Sequence, residues 1–180
     1  MNKYTRYALA LFGVAAVAVL TGGCFSRPVR RTAYYDLQMP EKAQAQSSFQ
    51  LLLCGNDSPA RSSMIFRGAD NRIWQDDHNC WVQPPEQMIL RYINLAYPLK
   101  NSDKPQELQN LRITLNAFEF DAKSSEAVLA LSYEFKRSGK RKNGSVFIRE
   151  KASGSDAAAF SAAMNTAVQK AVKEIAAAAE

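Results

Sequence analysis

Three cysteines, one histidine and a short run of cations are the residues of this 180-residue chain with the most chemistry to offer. Cys24 stands behind Leu20-Thr21-Gly22-Gly23, where small residues leave the thiol open to modification. Cys54 and Cys80 are the other two thiols. In an oxidising compartment such a pair is expected to form a disulfide, closing a loop of about 25 residues and restraining the unfolded chain by roughly 3 kcal/mol. The bridge requires Cα atoms about 4.4–6.8 Å apart. His78 lies in Asp76-Asp77-His78-Asn79-Cys80, which offers metal-ligand residue types. Adjacent side chains rarely converge on one ion and no second ligand cluster completes the set, so a polar turn is expected there and no metal.

Two clusters suit binding rather than catalysis. Trp81, followed by Pro84 and Pro85, is either an interface anchor or an indole packed at the start of a helix. Lys136, Arg137, Lys140, Arg141 and Lys142 put five cations into seven residues. They would meet acidic protein or lipid headgroups, or stand as a solvated hairpin tip. No Gly-rich phosphate loop, nucleophile elbow or pair of catalytic carboxylates can be placed, and one histidine leaves little for imidazole chemistry. The expectation is a protein that is not an enzyme and holds no cofactor beyond covalent lipid.

The N-terminus determines where the protein goes. Lys3 and Arg6 precede an apolar run from Ala8 to Leu20, too short for a comfortable membrane span and suited to an export signal. With Cys24 behind it, the segment resembles the bacterial lipobox, although Thr21 rather than Leu20 occupies the place three before the cysteine. Such signals imply diacylglycerol on the thiol, cleavage before the cysteine and an N-acyl chain, palmitate for example, on the new terminus. Each buried methylene contributes about 0.8 kcal/mol, so three chains make a permanent anchor. Phe25, not Asp, follows the cysteine, which by the sorting rule implied by lipoboxes places the protein on the periplasmic face of the outer membrane. Losing residues 1–23 removes two cations and leaves a net charge of +4, too modest for a nucleic-acid binder that also lacks a basic helix. Residues 24–32 read as the lipidated cysteine and an extended linker, whose Arg27, Arg30 and Arg31 are either solvated or near lipid headgroups.

Residues 33–180 read as a single periplasmic domain. Strands are expected at Ala33 to Leu37, at the apolar run Phe49 to Cys54, and as a short hairpin of Met64–Arg67 with Arg72–Gln75. A helix from Pro85 to Tyr97 buries Met88, Ile89, Tyr92, Ile93, Leu95, Ala96 and Leu99, and Pro98 closes it. A polar loop from Lys100 to Gln106 follows. Leu111, Ile113, Leu115 and Ala117 alternate before Phe118 and Phe120 take the opposite phase, which predicts a bulge. Ala127, Leu129, Leu131, Tyr133 and Phe135 share one face of the next strand. Lys136 to Gly144 is a turn leading to a strand over Ser145 to Lys151, completing an antiparallel meander. Ser155-Asp156 caps a last helix whose stripe is Phe160, Met164, Val168, Ala171, Val172 and Ile175. The fold class is α+β: a mixed or antiparallel sheet with two main helices on one face.

This order of elements resembles the ABC-type transport auxiliary lipoproteins, the PqiC-like family. The likeness is carried by Tyr34-Tyr35-Asp36-Leu37, Met64-Ile65-Phe66-Arg67, Arg72-Ile73-Trp74, Trp81 ahead of Pro84-Pro85, and Leu115 to Asp121. The resemblance implies a fold similar to the N-terminal domain of TolB and a periplasmic partner of an ABC permease and ATPase with MCE-domain proteins. Such a system moves phospholipid or other hydrophobic molecules through the envelope and supports membrane integrity; family members can form homo-oligomeric rings. Two other roles fit the tether and fold class: a lipoprotein regulator of a peptidoglycan synthase, and a monomeric periplasmic lipid carrier. About nine residues of linker are short for the first.

Overall fold

The computed structural model describes residues 31–99 and 108–179. The expected export signal, Cys24, most of the linker and the loop from Lys100 to Gln106 lie outside the described residues. The elements are β1 (Ala33–Tyr35), β2 (Phe49–Asn56), β3 (Ser63–Arg67), β4 (Ile73–Trp81), α1 (Pro85–Ala96), β5 (Gln109–Asp121), β6 (Glu126–Arg137), β7 (Lys140–Lys151) and α2 (Ala157–Ala178). The strands form one mixed sheet in the order β1-β4-β3-β5-β6-β7. Strand β5 is long enough to be shared: β2 pairs with its first half, from Phe49↔Gln109 to Asn56↔Leu115, and β3 with its end, at Phe66↔Phe120 and Arg67↔Asp121. Both of those pairings and β1·β4 are parallel, while β3·β4, β5·β6 and β6·β7 are antiparallel.

Alternation along the long strands puts one face under the helices. Leu111, Ile113, Leu115, Phe118 and Phe120 of β5 join Ala127, Leu129, Leu131 and Phe135 of β6 in the same buried cluster as both helices. The expected change of phase in β5 is a bulge, with the register shifting between Leu115 and Ala117. Helix α1 begins at Pro85, where proline sacrifices no intrahelical bond. It buries Met88, Ile89, Tyr92, Ile93 and Ala96. Leu95 and Leu99, expected in that stripe, are exposed: Leu95 lies off the arc of buried positions and Leu99 lies past the helix end. Helix α2 buries its whole expected stripe, and the Asp156 carboxylate accepts the Ala159 N–H at 2.8 Å as its N-cap.

Four expectations change on folding. Strand β2 is not uniformly buried: Leu52 and Leu53 are exposed at a bulge on a strand with one sheet neighbour. Strand β1 stops at Tyr35, although Leu37 still reaches the core. The polar turn expected at Asp76 to Cys80 lies within β4 as a wide bulge, because β4 uses five residue steps between Gln75 and Cys80 where β3 uses two between Ile65 and Ser63. Asp76 organises it, accepting the backbone N–H of His78 at 2.8 Å and of Asn79 at 3.0 Å. The basic segment is mostly strand rather than turn. Lys136 pairs with Arg141 and Arg137 with Lys140, leaving Ser138 and Gly139 as a two-residue turn. Their φ values of 47° and 81° are those the tight primed hairpin requires.

Candidate functional site

The five cations of the β6–β7 hairpin all project into solvent at one end of the sheet. Arg141 Nη1 lies 3.4 Å from a Glu134 carboxylate oxygen, and Lys142 Nζ donates to the Ala178 carbonyl at 2.6 Å at the end of α2. Phe135 and Gln109, with Arg137, Lys140, Arg141 and Lys142, line a groove of about 490 Å³. Several cations around one groove suit an anionic surface. Cross-strand pairing holds these charges together, since opposed residues on adjacent strands have Cβ atoms about 5 Å apart.

The opposite end carries the β3–β4 hairpin and a polar network on the face of the sheet away from the helices. There Arg67 Nε donates to Glu119 Oε1 at 2.6 Å and Arg67 Nη2 to Oε2 at 2.9 Å, with the Glu119 side chain 8% exposed. That bidentate bond raises the Arg67 guanidinium further above its ordinary value. Arg149 bridges Asp121 and Glu126 across β5, β6 and β7. Burial pushes the Asp121 carboxyl up, but hydrogen bonds from Arg149, Ser124 and Lys123 outweigh it and hold the group below the usual carboxylate value. None of these partnerships follows from a local motif. The Met64–Arg67 and Leu115–Asp121 segments contain both halves of the Arg67–Glu119 pair, marked by a strand-ending arginine and an inward-phased Phe-Glu-Phe, while Arg149 and Glu126 lie outside them.

Of the two readings of Trp81, the packed indole is the one that the structure shows, and the residue leaves the list of surface candidates. It is 1% exposed and meets Phe118 and Phe160 edge to face at 5.2 and 5.5 Å. Pro85 is buried too, and Pro84 alone of the three is exposed. Among the described residues no group of three or more His, Cys, Asp or Glu is placed to hold a metal ion.

The expected Cys54–Cys80 disulfide is also corrected, for both thiols are free. Cys54 belongs to the core beneath the helices. Trp81 occupies that same core, so strand alternation turns its neighbour Cys80 to the opposite face of the sheet. Desolvation and then the charge of Glu86 push the Cys54 thiol up to about 12. Free thiols therefore predict unequal labelling: at pH 8 the folded domain should react with a thiol reagent rapidly at Cys80 and at Cys54 only after denaturation, read by peptide mass spectrometry. Absence of labelling at both positions until a reductant is added would restore the bridge.

Residues 59–176 match the family model described as ABC-type transport auxiliary lipoprotein component. A crystal structure described only as that of an uncharacterized protein superposes with a TM-score of 0.68 at 12% identity, covering 83% of this chain and 99% of that one. Protein XCC0632 from Xanthomonas campestris, of the DUF330 family model, superposes with a TM-score of 0.59 at 19% identity, covering 80% and 91% of the two chains. At these identities the structures speak for the fold. None of the curated proteins matches the sequence.

Proposed function

Since the chain belongs to the ABC-type transport auxiliary lipoprotein components, we propose that it is the lipid-anchored accessory subunit of an ABC/MCE system moving lipid through the envelope. In this reading the acylated thiol is Cys24, the membrane is the outer membrane and the protein does no covalent chemistry of its own. It docks and aligns the MCE-domain protein and, through it, the permease and ATPase. The tether raises the local concentration of the domain for a partner crossing the periplasm.

One observation carries the reading: β1 enters the sheet from the end opposite the basic hairpin. Strand β1 runs parallel to β4, so the chain arrives from the end where the β3–β4 hairpin lies. Arg67, Asp121 and Glu126 share one row of that end, and Arg137 is eleven residues farther along β6, about 36 Å at 3.3 Å per residue. A domain held at one end therefore offers its cations, with the groove beside Phe135, to something on the far side. That polarity favours an acidic protein partner over the anchoring bilayer as what the hairpin meets. Strand β7 adds an open edge with Phe147 exposed on it, which supports lateral assembly with further copies of the chain.

Crosslinking in cells followed by affinity purification and mass spectrometry tests the proposal, with recovery of an MCE-domain protein, permease and ATPase as the expected result. Recovery of a peptidoglycan synthase without transporter subunits would overturn it. Reversing Arg137→Glu and Lys140→Glu together should lower partner recovery by about tenfold or more while leaving the protein in the membrane fraction, because like charges facing each other across an interface cost several kcal/mol. Unchanged recovery would remove the hairpin from the docking surface.

A further inference from the structure

The β3–β4 hairpin carries the opposite character from the basic one. Ile73 is 44% and Trp74 47% exposed at its start, although each is large and apolar. Trp74 is not loose: its ring stacks on the buried Phe66 at 5.9 Å and 14° between planes. Arg72, beside them, is paired with Asp70 at 2.5 Å and otherwise open to solvent. Gly68, Ala69 and Asp70 complete with Arg72, Ile73 and Trp74 an open hollow of about 630 Å³. A rigid indole presented with an isoleucine and an arginine has the composition that settles at a bilayer interface, apolar body inward and polar edge in the headgroups.

Chain length decides which bilayer. Tyr34 pairs with Cys80, Cys80 with Ser63, and Ile73 with Arg67, so the hairpin start lies four β3 residues, about 13 Å, beyond the Tyr34 row. It lies in the direction from which the chain arrives. Nine residue steps separate Cys24 from Ala33, a contour of about 30 Å at most. An acylated Cys24 can thus stand no more than about 20 Å past Ile73, since Ala33 lies one row nearer the hairpin than Tyr34, and closer if the segment is anything less than extended. The basic tip, about 36 Å the other way along the sheet, is out of reach of a bilayer approached along the strands. We infer that Ile73 and Trp74, with Arg72 beside them, form a second contact with the bilayer that holds the acyl chains, fixing the domain upright upon it. The occupant of this surface is a phospholipid interface, and the inference rests on the anchoring of Cys24 proposed above.

The test uses the full-length protein, purified from membranes and reconstituted into vesicles of phosphatidylethanolamine and phosphatidylglycerol containing brominated acyl chains. Trp74 and Trp81 are the two tryptophans, and Trp81 is buried. Bromine should therefore quench one of the two emitters, and Trp74→Phe, which keeps a ring on Phe66, should abolish the quenching. Ile73→Asp in the wild-type tryptophan background should weaken it severalfold. Intact-mass measurement of the same sample reports acylation. Acylated protein whose emission is indifferent to bromine would overturn the hairpin contact while leaving the anchor standing. Protein lacking acyl chains at Cys24 would overturn the anchor and the contact derived from it.

Discussion

Phe160→Ala is expected to lower the unfolding free energy of the domain by about 3–5 kcal/mol, the upper range for emptying an aromatic site. The residue is fully buried on α2, and its ring lies 5.7 Å from that of Phe66, 5.5 Å from Trp81 and 5.5 Å from Phe120. Those partners belong to β3, β4 and β5, so one helical side chain closes the contact between α2 and three strands. Collapse into the vacated space is resisted because each neighbouring ring is already fixed: Phe66 by Trp74 and Phe120, and Trp81 by Phe118. Against a total stability of about 5–15 kcal/mol, such a loss leaves a domain near its folding threshold. Urea unfolding of the chain freed of its first 31 residues measures it. A loss under about 1 kcal/mol would mean that the cluster is less tightly packed than these distances require.

Arg67→Ala is expected to cost about 3 kcal/mol, because it strands a carboxylate rather than removing a surface charge. Glu119 is 6% exposed, and both of its oxygens are taken by the Arg67 guanidinium. The arginine side chain keeps some contact with water, which places the cost toward the lower end for a buried pair. Removing both partners tells the pair apart from its packing. Arg67→Met with Glu119→Leu should recover most of the stability, since apolar residues of similar volume carry no desolvation penalty. Equal losses in the single and double variants would show that the packing of the arginine stem, and not the stranded charge, accounts for the effect.

Much of this protein was legible in its sequence because the relevant signals are local. Pro85 and Asp156 mark helix starts through backbone chemistry confined to one turn. The phase change between Ala117 and Phe118 announces a bulge, since strand alternation has a period of two and one extra residue must invert it. Only the tertiary structure decided what depends on residues far apart in the chain. Trp81 and Cys80 are neighbours with opposite fates, and which of them enters the core follows from the pairing of β4 with β1 and β3, not from residue type. Arg67 finds Glu119 because β3 lies parallel to β5 across an intervening hairpin and helix, a separation of 52 residues. The basic residues form a paired hairpin because β6 and β7 extend through them. The same topology brings β1 into the sheet from the end opposite the cations, through strand directions that long crossover connections determine and no local pattern encodes.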